Sequence, residues 1–267
     1  MVVFPNAKIN LGLNIIRKRA DGYHELETCF CPVPWNDVLE IIEADKTTFS
    51  ASGIPIPDDG QNIVLKAYQL IKAEFDLPPV AIHLHKVIPI GAGLGGGSSD
   101  AAYTISLLNE LFSIGLNDHQ MINYAAQLGA DCAFFIKNEP CLASGVGEQL
   151  APLNISFIGH QIFLVYPNLH ISTKVAFEGI VPQVPSKKIS DILSDKPMKE
   201  WRGELGNDFE TPLFKKFPIL NEIKKSFYEN GALYASMSGS GSCIYGIFEE
   251  EINIEMPNEY TCFSAVL

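Results

Sequence analysis

The sequence is short of positive charge. Nineteen lysines and arginines stand against 31 aspartates and glutamates, a formal net charge of −12. That balance excludes broad binding to nucleic acid or to anionic membrane, both of which need basic surface. Long hydrophobic runs are missing too, since none reaches the ~18–20 residues of a membrane span. The amino terminus opens on a strand pattern rather than on a basic segment, apolar core and cleavage site. The expectation is a soluble cytoplasmic protein with no membrane or nucleic-acid partner. Paired cysteine motifs are absent as well: Cys29, Cys31, Cys132, Cys141, Cys243 and Cys262 form no C-x-x-C pair. Cys29-x-Cys31 alone is too little for zinc, so all six are expected to be buried or half-buried thiols in a reducing compartment.

Apolar material is plentiful. At 267 residues and 47% hydrophobic, the chain can build one large or two ordinary domains. Its most informative stretch is Ile88 to Ala102, IPIGAGLGGGSSDAA, in which five glycines fall between Gly91 and Gly97. Upstream, Val80 to Leu84 alternates at period two and predicts a strand; downstream, Ala101, Ile105, Leu108 and Phe112 recur at helical spacing. The glycines therefore join a strand to a helix N-terminus, where backbone N–H groups lack intrahelical partners and the helix dipole adds partial positive charge. Glycine admits positive φ and lets a bulky anion approach the backbone. Phosphate is the natural occupant.

The first strand carries a second signal. Ala7, Ile9, Leu11, Leu13 and Ile15 share one face, and Lys8, Asn10, Gly12 and Asn14 the other. Lys and Asn are poor strand formers, and on one face they are equally compatible with a wet surface or with a lysine and amides aimed at a ligand. Asp21-Gly22 marks a turn, which places Tyr23 and His24 at its edge. A ring and an imidazole there can stack on and hydrogen-bond a flat heterocycle, although surface decoration is the commoner outcome. His83 and His85 share a strand face without further ligand types nearby and predict a solvated face. Asn62 caps a helix through Val64, Ala67, Ile71 and Phe75; Asn117 with Gln120 forms a capping box, and Gly129 suits the closing left-handed position. Asp131 then falls beyond a helix end and before the apolar run Cys132 to Ile136. A carboxylate there is partly desolvated and calls for a partner, for which Lys8 or a metal would serve. Beyond Pro152 come a strand at Gln161 to Tyr166, a helix through Leu220, Ile223 and Phe227, and a second glycine-serine run, Ser238 to Ser242, between two strand patterns. That run is either a hairpin turn or another backbone-lined anion site.

Three nucleotide-binding motifs share such glycines. A P-loop is excluded because no lysine follows them. The G-x-G-x-x-G at Gly91, Gly93 and Gly96 lacks the acidic residue ending a strand about 20 residues on. No protein-kinase catalytic loop follows either. The remaining match is to a family. Pro89-x-Gly91-Ala92-Gly93-Leu94-Gly95-Gly96-Gly97-Ser98-Ser99-Asp100, after Ala7-Lys8-Ile9-Asn10-Leu11 and before Gly129-Ala130-Asp131, resembles the GHMP small-molecule kinases. Met237-Ser238-Gly239-Ser240-Gly241 is similar to that family's third motif. Asp21-Gly22-Tyr23-His24-Glu25-Leu26, Tyr166-Pro167, Ser172-Thr173 and Asn207-Asp208 resemble its isoprenoid-pathway branch.

The resemblance implies an α+β fold in two domains. Residues 1–152 would bind ATP on a mixed sheet, and residues 153–267 would form a ferredoxin-like sheet-and-helix domain, with the acceptor in the cleft between them. It implies an ATP-dependent kinase using Mg²⁺, whose acceptor is a cytidyl diphosphate alcohol. Other GHMP kinases, with mevalonate-like, homoserine or sugar acceptors, and a catalytically silent nucleotide-binding module are the alternatives. By the same resemblance Lys8 and Asp131 are catalytic, and Pro89, Gly91, Ala92, Gly93, Leu94, Gly95, Gly96, Gly97, Ser98 and Ser99 cradle the ATP phosphates. Tyr23 and Phe177 would sandwich the cytosine, His24 would bond its edge, and Asn10 would hold the alcohol. The chain departs from the family at Ala133, where a proline is usual. It departs again at 249–258, shorter and more acidic than the usual amphipathic helix.

Overall fold

The computed structural model describes residues 1–57 and 62–267. Its residues group into two compact units that interleave along the chain.

The first unit contains residues 1–8, 35–90 and 95–139. Its four-stranded sheet runs in the order Val2–Val3, Val38–Glu43, Val80–Lys86, Thr48–Gly53. The last two strands pair in parallel and the other neighbours antiparallel, so the sheet is mixed. Val80, Ile82 and Leu84 point into a core shared with Leu39 and Ile41. The alternate residues His83 and His85 face outward, where Ser50 and Ser52 hydrogen-bond them. Helices cover the inner face. Ile63–Lys72 brings Val64, Ala67 and Ile71, and Gly96–Leu111 brings Ala101, Ile105 and Leu108. Asn62 accepts from the N–H groups of Val64 and Leu65, and Asn117 and Gln120 close the expected capping box on Asp118–Leu128. Gly129 ends that helix differently from expectation, with extended backbone at φ 174° rather than left-handed. The turn to Asp131 follows directly, and the Cys132 N–H returns to the Gly129 carbonyl.

The second unit contains residues 9–34, 91–94 and 140–267. One sheet orders Asn6–Lys18, His24–Asn36, Cys141–Gly145 and Gln149–Pro152. The other, antiparallel throughout, orders Tyr234–Met237, Ile244–Phe248, Gln161–Tyr166 and Thr261–Val266. Helix Pro218–Glu229 presents Leu220, Ile223 and Phe227 to this sheet, and Phe227 meets Phe163 and Phe248 edge-on. Residues 249–258 form no helix. Their apolar residues recur at period two instead: Ile252, Ile254 and Met256 turn toward this core, while Glu251 and Glu255 stay exposed. The acidic residues that would spoil a helix's apolar stripe thus point to water in an extended segment.

Candidate active site

Lys8 and Asp131 meet within the first unit. Lys8 Nζ lies 3.5 Å from Asp131 Oδ2; the lysine is buried and the aspartate is about a third exposed, at 34%. Burial pulls the Lys8 ammonium below the ordinary lysine range, against the raising influence of Asp131. The pair is asymmetric in a useful way. The buried partner is fixed by a strand, and the other carries a carboxylate that solvent or a ligand can reach. Beside Asp131, burial pushes the Cys132 thiol up to about 11, which keeps it neutral. Ala133, where the family has proline, holds φ −59°, within the range a proline ring imposes.

The glycine run approaches the same lysine. A β-carbon at Gly95 would fall 3.1 Å from Lys8 Cγ and 3.0 Å from the Phe135 ring, and one at Gly96 would fall 3.0 Å from Lys86 Nζ. Gly95 takes φ 70° as the cap of Gly96–Leu111, with no side chain satisfying the helix N-terminus. Gly97 differs from its neighbours. It needs no positive φ, it is exposed, and an added β-carbon would meet only Ile63 Cγ2 at 4.0 Å. Two buried side-chain atoms in this turn, Ser99 Oγ and Asp100 Oδ1, have no hydrogen-bond partner.

Sequence reasoning missed what lies beneath. Lys86 Nζ bonds both Asp37 Oδ2 and, at 2.7 Å, Asp100 Oδ2 in a wholly buried cluster. Asp37 Oδ1 accepts the N–H groups of Val87 at 2.6 Å and Ile88 at 2.8 Å. Burial pushes the Asp100 carboxyl up to about 7 against the pull of Lys86, with Asp37 adding to the rise. A lone aspartate before one strand and a lysine ending another leave no motif.

In the second unit, Ala92 and Gly93 pack on the second glycine-serine run, and Gly91 lies against the His170 ring. Ser238 Oγ donates to the Gly93 carbonyl at 2.8 Å, and the Cys243 N–H donates to the Ala92 carbonyl at 3.1 Å. Any β-carbon at Gly93 would collide with the Ser238 carbonyl. Asn207 Nδ2 bonds the carbonyls of Met237 and Gly239, each at 2.8 Å. The run from Ser238 therefore braces the first glycines. Asn10 is buried on its strand, with its amide donating to Thr28 Oγ1 at 3.0 Å. The aromatic residues come together in part. His24 lies on Phe177 with centroids 4.5 Å apart and planes 20° from parallel, and Phe177 meets Phe209 edge-on. Tyr23 is left 65% exposed at the hairpin tip, where its N–H donates to Asp21 Oδ1.

Among the described residues, no helix is long and apolar enough to cross a membrane, and no cluster of His, Cys, Asp or Glu could hold a metal ion by itself. The six cysteines are free thiols, five of them buried and Cys262 exposed.

Comparison with known proteins gives this geometry a family. The GHMP kinases N terminal domain matches residues 62–139, and the GHMP kinases C terminal domain matches residues 194–255. A homoserine kinase structure from Cytophaga hutchinsonii shares the fold, with TM-score 0.70 at 16% identity over 98% of this chain and 95% of that one. Fold and site together define an ATP-dependent small-molecule kinase of the GHMP class. The 4-diphosphocytidyl-2-C-methyl-D-erythritol kinase of C. hutchinsonii is 51% identical over 250 residues, 93% of this chain and 92% of its own. The Bacteroides fragilis protein of that name is 50% identical over 259 residues, 95% and 94%. A crystal structure of 4-(cytidine 5'-diphospho)-2C-methyl-D-erythritol kinase, 33% identical, matches with TM-score 0.78 over 94% of this chain and 91% of that one. The chain belongs to the 4-diphosphocytidyl-2-C-methyl-D-erythritol kinase family of GHMP kinases.

Proposed function

We propose that this chain phosphorylates the 2-hydroxyl of 4-diphosphocytidyl-2-C-methyl-D-erythritol with ATP, as a cytoplasmic enzyme of the non-mevalonate isoprenoid pathway. The names of its relatives support the substrate. The observation that carries the chemistry is the Lys8–Asp131 pair. Asp131 takes the proton of the acceptor hydroxyl or orients it for attack. Lys8 keeps that carboxylate ionised and offsets negative charge developing on the acceptor oxygen. Little else is required of a protein in phosphoryl transfer beyond positioning and neutralisation.

Pro89 to Ser99 cradle the ATP phosphates. Two features support that assignment: Gly97, which nothing among the described residues requires to be glycine, and the unpartnered Ser99 hydroxyl. Backbone N–H groups at the start of Gly96–Leu111 provide the donors. ATP supplies the phosphoryl group and Mg²⁺ neutralises its charge. With no preformed cage among the described residues, the ion fits as a companion of the phosphates, the usual manner for Mg²⁺.

Phe177, His24 and Tyr23 take the cytosine, and Asn10 lies on the Lys8 face of its strand for the alcohol portion. A nucleotide part at residues 1–152 and an acceptor part at 153–267 are a functional division, distinct from the packing units, in which residues 9–34, 91–94 and 140–152 group with the second. Tyr23 and His24 group with Phe177 in the second unit.

The test is ADP release from ATP on adding the cytidyl acceptor, with homoserine and mevalonate as controls. Asp131→Asn should lower kcat by about 10²–10⁴-fold, the usual contribution of a positioned acid or base, and leave ATP affinity intact. Near wild-type turnover in that variant would remove Asp131 from the mechanism.

A further inference from the structure

We propose that Asp37 is a positioning residue for ATP binding: its carboxylate, gripped by Lys86, fixes the backbone that leads into the glycine loop. The inference rests on reading that loop as the phosphate cradle.

Asp37 is fully buried between two strands, and both its oxygens are committed. Oδ1 holds the N–H groups of Val87 and Ile88, the last two before Pro89, which has none. Oδ2 is held by Lys86. The same ammonium reaches across to Asp100 Oδ2 on the helix that the loop runs into. One buried cluster therefore grips the chain on both sides of residues 89–95. Such clusters are poor devices for stability, because desolvation offsets most of the Coulomb attraction and an apolar replacement does as well. What this one supplies is geometry. Without Asp37, two N–H groups at the loop's start lose their acceptor, and buried donors without partners drive local rearrangement.

The two aspartates differ, and the difference makes the proposal testable. Asp100 uses one oxygen and leaves Oδ1 unpartnered. Asp100→Asn can keep its carbonyl on Lys86 and leaves the acceptor of the Val87 and Ile88 N–H groups untouched. Asp37→Asn has no such freedom, since its amide must face either the Lys86 ammonium or the backbone donors. An Asp37→Asn/Lys86→Gln double variant gives the new amide an acceptor in the glutamine carbonyl, frees its own oxygen for the two backbone donors, and serves as the conservative rescue.

The experiment is titration of the full chain with a non-hydrolysable ATP analogue, beside steady-state kinetics and thermal melts. Asp37→Asn should weaken analogue binding and raise the ATP KM by about tenfold, the scale of an orphaned buried donor. Its kcat and acceptor KM should stay within about twofold of wild type. Asp100→Asn and the double variant should bind like wild type. In addition, hydrogen exchange of wild-type protein without nucleotide should find the Val87 and Ile88 amides as slow as those of the sheet core. That measurement decides the matter if Asp37→Asn fails to fold. Analogue affinity unchanged in Asp37→Asn, or fast exchange at Val87 and Ile88, would overturn the proposal while leaving the cradle in place. Failure of wild type to bind the analogue would overturn the cradle and this proposal with it.

Discussion

His24 lies flat against Phe177, its ring centroid 4.5 Å away, so one face of the phenyl ring is already covered by an imidazole. Phe209 closes on Phe177 edge-on at 4.9 Å and holds it in place. A cytosine stacking on this aromatic group meets a braced Phe177 and an exposed Tyr23. Phe177→Ala should therefore cost more than Tyr23→Ala. With base–aromatic stacking worth about 1–3 kcal/mol, the acceptor KM should rise roughly fivefold to a hundredfold for Phe177→Ala, with the ATP KM unchanged. Equal or reversed effects would place the base elsewhere.

On the proposed mechanism, the buried Lys8 should set the alkaline side of the pH–rate profile. Its ammonium loses its proton below the ordinary lysine pKa because burial disfavours charge, and activity depends on the protonated form. Turnover should fall with rising pH at values below the 10.5 of a free lysine. Lys8→Arg, which stays charged, should push that limb upward even as kcat drops. A limb unmoved by the substitution would assign it to another group.

Gly97 separates the needs of the ligand from those of the fold. Gly97→Ala places a methyl in open space on a helix, where alanine is favoured over glycine by about 1 kcal/mol. The melting temperature should hold or rise, while affinity for an ATP analogue falls by about tenfold or more, by the logic of blocked close approach. Gly93→Ala is the contrast, since its β-carbon strikes the Ser238 carbonyl and its φ is +80°. That variant should lower the melting temperature as well.

Asp100 should tilt stability with pH. Its folded carboxyl keeps a proton up to about 7, whereas the unfolded chain releases it near 3.8, the value of a free aspartate. Between those values the folded state binds more protons, so its contribution is complete below the unfolded pKa and is lost as pH rises toward 7. Urea unfolding across pH 4–8 should show a downward component, on the order of a few kcal/mol at most, that Asp100→Asn removes. Parallel curves for the two proteins would refute the shift.

Local signals were the legible ones. The strand–glycines–helix order, the Asn62 and Asn117 caps and the alternation at Val80, Ile82 and Leu84 all depend on residues close in the chain, and each could be read. The cluster beneath the loop could not, because Lys86 and Asp37 stand 49 residues apart and neither forms a pattern with its neighbours. Gly129 was read as a left-handed cap from residue type, but its conformation is set by the turn that delivers Asp131. Segment 249–258 was measured against a helix, and its alternation of isoleucine with acidic residues is legible only as extended chain packed on a sheet. The pairing of Lys8 with Asp131, 123 positions apart, is legible from burial only as one of two options, Lys8 or a metal, and the family resemblance selects the lysine.

The open space at Gly97 also bears on divergence. A descendant that gave up catalysis but kept its architecture would face no packing constraint there, and mutation would be free to replace the glycine with a better helix former. Gly93, whose β-carbon would strike the Ser238 carbonyl, would persist in such a descendant for reasons of folding. On the proposed reading of the loop, position 97 is thus a place where release from nucleotide binding could be recorded without cost to packing among the described residues.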